Sequence, residues 1–223
     1  MPEVQGRTVT FPVEVRRATA WSAQFLVPRS SAQSLLPPPL RAFGVAGRAI
    51  VALAVQRYED CDLGAYDEVA LSILVRRLDG GREPAVYIRQ LPVNRGFTLE
   101  AGRTIWGYPK WLADIDIAET TSGMRCVLRE EERTSAEIEI RHGGLFRMRE
   151  RAVPTYSDAE GTLNFTPWEM HGGTRARLGG GSVRPGAGRF ADDLRALGFP
   201  RRSVLSTTSR DLRASFGPSQ QVR

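Results

Sequence analysis

Lysine is almost missing from this chain. Of the 31 residues that are Lys or Arg, Lys110 is the one lysine and the other 30 are arginines. Histidine and cysteine are equally sparse, at two residues each. Cys61 and Cys126 lie too far apart in sequence for a metal knuckle, and one pair cannot build a disulfide scaffold, so reduced, inert thiols are expected. His142 and His171 each adjoin a Gly-Gly turn, where histidines are usually solvated. No His, Cys or carboxylate spacing suits a metal, and no glycine-rich phosphate cradle follows a strand, so neither a metal site nor a phosphate-cradling site is expected. Apolar runs stop well short of the roughly 18 residues of a membrane-spanning helix, which argues against a membrane partner. The opening MPEVQGRTVTFP has no charged-then-apolar signal pattern, which makes the cytoplasm the expected location.

What remains is the balance of a foldable chain. With 223 residues, 41% apolar and 25% charged, it can bury one sizeable core, and a single domain over residues 1–223 is expected. The formal charge of +6 would suit a nucleic acid, above all with Arg175, Arg177, Arg184, Arg189, Arg195, Arg201 and Arg202 in the last third. That third carries few aromatics between its arginines and no recognisable nucleic-acid-reading motif. No nucleic-acid partner is therefore expected; a positive field drawing in a small carboxylate fits better.

Strand patterns dominate the first 165 residues. Thr8 to Val15 and Thr19 to Val27 alternate, the second placing Trp21, Ala23, Phe25 and Val27 on one face. Ala49 to Gln56 and Glu68 to Leu78 are nearly continuous apolar runs, expected as central strands buried on two faces, with a further strand over Ala85 to Leu91. Ser30 to Leu36 reads as a short helix with a Ser30-x-x-Gln33 capping box, halted by Pro37, Pro38 and Pro39. From Leu112 onward, Ile115 and Ile117 alternate with Asp114 and Asp116, and Ile138 and Ile140 with Glu137 and Glu139, giving strands with one wet face. Met124 to Arg129 and Leu145 to Val153 complete the set, with hairpin loops expected at Thr120 to Gly123 and at Gly143-Gly144. Gly172 to Gly188 is glycine-rich and is expected to form a long loop, a candidate lid, before a helix over Ala191 to Leu197 and a strand over Ser203 to Thr208. Together these patterns predict a mainly β (α+β) domain whose antiparallel sheet curls into a barrel or cone, with a few short helices.

The chemistry concentrates in NRGFTLEAGRTIWGYPKW. Thr98 to Trp106 can form about two helical turns, Gly107 stops them, and Pro109 biases Tyr108 away from the helical region. Lys110 thus leaves a stiff corner among Trp106, Tyr108 and Trp111. An ordinary lysine is neutral in only about one molecule in 2,500 at pH 7. Burial disfavours the charged form, and buried lysines are documented with values as low as ~5–6. A neutral amine can condense with a ketone, and the protonated imine then accepts the electron pair released when a neighbouring carbon loses carboxylate or a proton. A plain surface lysine at a strand start is the alternative that local context leaves open.

The stretch GRTIWGYPKW resembles the active-site segment of the acetoacetate decarboxylase family, in which a Gly-Arg pair precedes an aromatic-Pro-Lys and that lysine forms a Schiff base. The resemblance implies the family's barrel-like β fold and Lys110 as nucleophile; its neighbours Trp106, Tyr108 and Trp111, all able to exclude water, are taken as substrate-binding. Leu63-Gly64-Ala65-Tyr66-Asp67-Glu68 resembles the family's Tyr-x-Glu, which implies Glu68 as acid/base and Tyr66 beside it. The family's early carboxylate-holding arginine corresponds to Arg16 or Arg17, with Arg17 taken as the candidate; adjacent strand residues point oppositely, so at most one can enter a pocket. Two positions depart from the pattern. Trp111 replaces a second lysine that follows the nucleophile, and an ungapped carry-over puts Leu53 where the decarboxylases have a second glutamate. The resemblance extends to aldolase-dehydratases that use the same lysine on other oxo acids. It implies a small keto acid as substrate, no cofactor and a homo-oligomer. A non-catalytic member that only binds a small ligand is the reading that Trp111 and Leu53 leave open.

Overall fold

The computed structural model describes residues 1–144, 146–148 and 153–222. Strands β1 (Glu3–Val4) and β2 (Arg7–Thr8) form a small N-terminal hairpin. The long strand β3 (Val13–Pro28) leads through helix α1 (Arg29–Ser34) and β4 (Gly44–Val45) into β5 (Arg48–Cys61), β6 (Tyr66–Val75) and β7 (Ala85–Val93). Helix α2 (Gly96–Trp106) and the short strand β8 (Lys110–Leu112) follow, then β9 (Asp114–Thr120), β10 (Gly123–Glu130) and β11 (Arg133–Arg141). The remaining elements are β12 (Phe146–Met148), β13 (Thr155–Ala159), β14 (Thr162–Thr166), β15 (Trp168–Leu178), β16 (Gly181–Pro185), helix α3 (Arg189–Ala196), β17 (Leu205–Phe216) and β18 (Gln220–Gln221).

The strands form one large curled sheet, in the order β12-β15-β17-β3-β5-β6-β7-β13-β14-β18, and a four-stranded sheet in the order β16-β11-β10-β9. Most ladders are antiparallel; β8 and β13 each join β7 in parallel. The expected mainly β, barrel-like fold is the one observed, a curled half-barrel with few short helices. The two apolar runs lie at its centre as β5 and β6.

Period-two alternation divides the large sheet into a dry face and a lined hollow. On the dry face Trp21, Phe25, Leu53, Leu71 and Ile73 pack against Met124, Cys126, Leu128, Ile138 and Ile140 of the four-stranded sheet. Full burial of each such side chain contributes roughly 1.5–3 kcal/mol. The intervening residues Ala52, Ala54 and Gln56 of β5 face a cavity on the concave side. A second cluster, with Val13, Val15, Leu91, Val93, Trp106 and Tyr108, closes one end of that hollow under α2.

Several local expectations need correction. Helix α1 has Pro28 at its N-cap and no capping bond from a side chain; Gln33 instead bonds the Leu40 carbonyl and the Ala42 N–H, pinning the proline turn. The β10–β11 hairpin turns at Glu131 and Glu132, both at positive φ, while Gly143 and Gly144 lie against β15, where a Cβ on Gly143 would fall 2.1 Å from the Arg175 carbonyl oxygen. Of the strand expected over Leu145 to Val153, residues 146–148 form β12 and residues 145 and 149–152 lie outside the described residues. The stretch Gly172 to Gly188 is not a long loop: most of it is β15 and β16, joined by a turn with Gly179 and Gly180 at positive φ. Its glycines permit close approach, since a Cβ on Gly181 would sit 2.4 Å from that of Ala23.

Candidate active site

Lys110 is delivered by two stops in the backbone. Helix α2 ends at Gly107, in the left-handed conformation (φ 63°), whose N–H bonds the Arg103 carbonyl while the Tyr108 N–H bonds that of Gly102. This is the glycine-terminated helix end expected from the sequence. Across Pro109 the Lys110 N–H returns to the Tyr108 carbonyl at 2.7 Å, a tight three-residue turn. Arg103 Nε then donates to the Lys110 carbonyl at 2.7 Å, tying the corner to the helix that precedes it. Gly102 supplies the path for the side chain: a Cβ there would lie 2.5 Å from both Cδ and Cε of Lys110. The Gly-Arg pair thus has a physical meaning, a slot for the lysine stem and a tether for its backbone.

The amine itself is dry. Lys110 is 3% exposed, and its Nζ lies 2.8 Å from Glu68 Oε2, donates to Thr98 Oγ1 at 3.2 Å and sits 5.0 Å from the centre of the Tyr66 ring. The other carboxylate oxygen, Glu68 Oε1, accepts from the Tyr58 hydroxyl at 3.3 Å. Tyr58 and Tyr66 face each other across the β5–β6 ladder and stack with centroids 4.3 Å apart. Burial, reinforced by the Glu68 charge, pushes both phenols well above their ordinary range, so each stays a neutral donor. Burial also pushes Tyr108 up to about 12, against the opposing bond from its hydroxyl to Thr155. Trp106 anchors through its Nε1 to the Gly217 carbonyl at 2.8 Å and stacks on Tyr108.

Lys110, Glu68, Tyr66, Trp106 and Tyr108 all line one cavity of about 890 Å³. Two sequence candidates do not reach it. Trp111, next to Lys110 on a strand, points to the opposite face, where its Nε1 bonds Gln90 Oε1 at 2.8 Å. Gln90 in turn bonds Asp193, which also holds Arg89 through two bonds of 2.9 Å, so Trp111 anchors β8 to α3 instead of lining the pocket. Arg17 lies outside the cavity too, paired with Glu59 at 2.6 Å and with its side chain 59% exposed. Arg16 pairs with Asp60 and Asp62. An irregularity in the β3–β5 register at Arg17 breaks the alternation there, and the acidic end of β5 captures both guanidinium groups. Leu53 belongs to the dry face, so the cavity-facing neighbours at that level are Ala52 and Ala54.

Tyr58, Thr98 and Gln56 complete the site without having been singled out from sequence. Thr98 precedes Gly102 by one helical turn, a spacing that puts both on one face of α2. Gln56 is the cross-strand partner of Glu68, and its buried Oε1 has no hydrogen-bond partner.

A family model described as acetoacetate decarboxylase (ADC) matches residues 1–176. The chain belongs to the acetoacetate decarboxylase family. Solved structures share the fold at low identity. The crystal structure of an acetoacetate decarboxylase from Legionella pneumophila aligns with a TM-score of 0.76 at 15% identity, over 97% of this chain and 91% of that one. The enduracididine biosynthesis enzyme MppR, complexed with pyruvate, gives 0.76 at 13% identity, over 97% and 93%. An acetoacetate decarboxylase-like enzyme from Sphingomonas wittichii RW1 gives 0.71 at 14%, over 98% and 96%. A comparison with curated protein sequences finds no match. Among the described residues no helix is long and apolar enough to cross a membrane, and no group of three or more His, Cys, Asp and Glu could hold a metal ion.

Proposed function

We propose that the protein is a Schiff-base-forming lyase that decarboxylates a β-keto acid through Lys110, with Glu68 as acid and base. The observation that carries this reading is the buried Lys110–Glu68 pair opening onto an apolar cavity. Transfer of a proton from Nζ to Glu68 Oε2 converts an ion pair into a neutral amine and a carboxylic acid, leaving no isolated charge in the dry site. The amine adds to the substrate ketone, and Glu68 returns the proton as the carbinolamine loses water, giving an iminium. The bond to the carboxylate carbon then breaks, carbon dioxide leaves and its electron pair passes to the iminium, giving an enamine. Glu68, reprotonated from solvent, delivers a proton to the enamine carbon, and hydrolysis of the resulting iminium releases a ketone and restores the amine. The Tyr58 phenol, kept neutral by burial, holds Glu68, and the ring of Tyr66 faces the Lys110 nitrogen. No step calls for a cofactor.

A second reading has its own support. Lys110 and Arg77 are the cations among the described cavity-lining residues, and Arg77, beyond the end of β6, pairs with Asp79. A substrate carboxylate beside Lys110 therefore has no guanidinium partner among them in either reading; the fold shared with MppR, complexed with pyruvate, supports an aldolase-dehydratase in which the enamine attacks an aldehyde.

Borohydride trapping with a panel of oxo acids, read by intact mass, tests both. A reduced adduct on Lys110 with carbon dioxide release supports decarboxylation, an adduct without gas supports the aldol reading, and no adduct with any oxo acid leaves a ligand-binding protein. The same reading takes residues 1–223 as one domain of a cytoplasmic homo-oligomer, and light scattering on the purified chain checks the association state.

A further inference from the structure

The cavity is far larger than the smallest keto acid requires. Its volume is about 890 Å³. At on the order of 30 Å³ per heavy atom, the density of liquid water, an acid of about seven heavy atoms fills roughly 200 Å³. Pockets of this size usually hold ligands of drug-like dimensions.

The strand register shows how the extra space is arranged. Glu68 faces Gln56 across the ladder at the Lys110 end. One level along, Ala70 faces Ala54, which faces Ser22; the next level has Ser72, Ala52 and Gln24. These short side chains keep the floor low, and Gln24 Nε2 donates to Ser22 Oγ at 3.2 Å, which folds the longest of them along the sheet. Leu26, Ile50 and Leu74 then raise the floor again. From Glu68 to Leu74 is six residues, about 20 Å at the ~3.4 Å rise of an antiparallel strand. An extended strand places three chain atoms in each rise, so the trough matches a chain on the order of fifteen carbons.

We propose that the substrate of this site is a long-chain oxo compound, its reacting carbonyl at Lys110 and its apolar tail lying over Ala54, Ala70 and Ala52 toward Leu74. The proposal rests on the lysine reading for the position of the carbonyl only. The trough opens directly from the amine, and a tail of the same molecule is the occupant that fills both parts at once.

Binding of straight-chain 3-hydroxy acids of four to sixteen carbons, measured calorimetrically on the full chain, tests it. These acids have no ketone and form no imine, so their affinity is independent of the chemistry at Lys110. Each added methylene should tighten binding about fourfold, levelling off beyond roughly a dozen carbons. Ala54→Trp should lower the ratio of twelve-carbon to four-carbon affinity at least tenfold, and Ala52→Phe provides a second block should the first fail to fold. A flat chain-length response overturns the proposal, including one in which light scattering finds the trough covered by a second copy of the chain. So does an equal loss for short and long acids in both variants. Failure of borohydride trapping alongside a rising series overturns the imine reading and leaves this one standing.

Discussion

Gly102 offers a perturbation that separates the site from the fold. In Gly102→Ala the new Cβ would lie 2.5 Å from Cδ and Cε of Lys110, where ordinary contacts are 3.4–4 Å, so the lysine stem must move by about 1 Å. The stem cannot yield without opening the 2.8 Å contact to Glu68 or the 3.2 Å bond to Thr98. A misplacement of that size typically costs about 100-fold in rate. The helix responds in the opposite direction, because alanine is favoured over glycine in a helix interior by up to about 1 kcal/mol. The expected result is a variant that melts within a few degrees of the parent yet loses about two orders of magnitude in kcat/KM on any accepted oxo acid, with a matching slowing of borohydride trapping. Wild-type trapping and turnover in a folded Gly102→Ala protein would refute the view that this glycine is a slot for the nucleophile. Loss of the fold, seen by circular dichroism, would refute the claim that the helix tolerates the change.

Four further outcomes follow from the same structure. Glu68→Gln should destabilise the protein by about 3–5 kcal/mol in urea titrations at pH 7, because it leaves the Lys110 ammonium buried without its counter-charge. Lys110→Met with Glu68→Gln should recover part of that loss while remaining inactive. Arg17→Ala should leave KM within about twofold, since the side chain is solvent-exposed and paired with Glu59 outside the cavity; a tenfold rise in steady-state KM would return it to the site. Stability should fall as pH rises above about 10, because the unfolded chain then loses tyrosine protons that the folded chain retains until about 12 at Tyr108. The Tyr108 contribution amounts to roughly 2–3 kcal/mol by pH 12, readable as a shift in urea midpoint between pH 9 and pH 11.5.

The corner that carries Lys110 was legible because composition and local order agreed on it. One lysine, a helix-ending glycine and a helix-incompatible proline within four residues define a corner without reference to the rest of the molecule. The parity of a strand is also sequence information, and it suffices to set Trp111 opposite Lys110 and Leu53 opposite Ala54. What it cannot supply is register. Tyr58 meets Glu68 only through the β5–β6 pairing, and Thr98 reaches the amine only once α2 is laid over β8. The irregularity in β3 that turns Arg16 and Arg17 outward depends on its partner strand in the same way. Glycine-rich composition misled between 172 and 188 because missing side chains serve crowded strands as readily as open loops, and Gly181 against Ala23 is the crowded case.

Strand β5 carries two independent messages along one backbone. Its odd-numbered residues, such as Val51, Leu53 and Val55, answer to the interior, while Ala52, Ala54 and Gln56 answer to whatever molecule occupies the hollow. Exchanges on the second set leave the first untouched, so selectivity can drift while foldability is conserved. An architecture partitioned in this manner can be inherited by proteins with almost unrelated sequences, each retuned for a different guest.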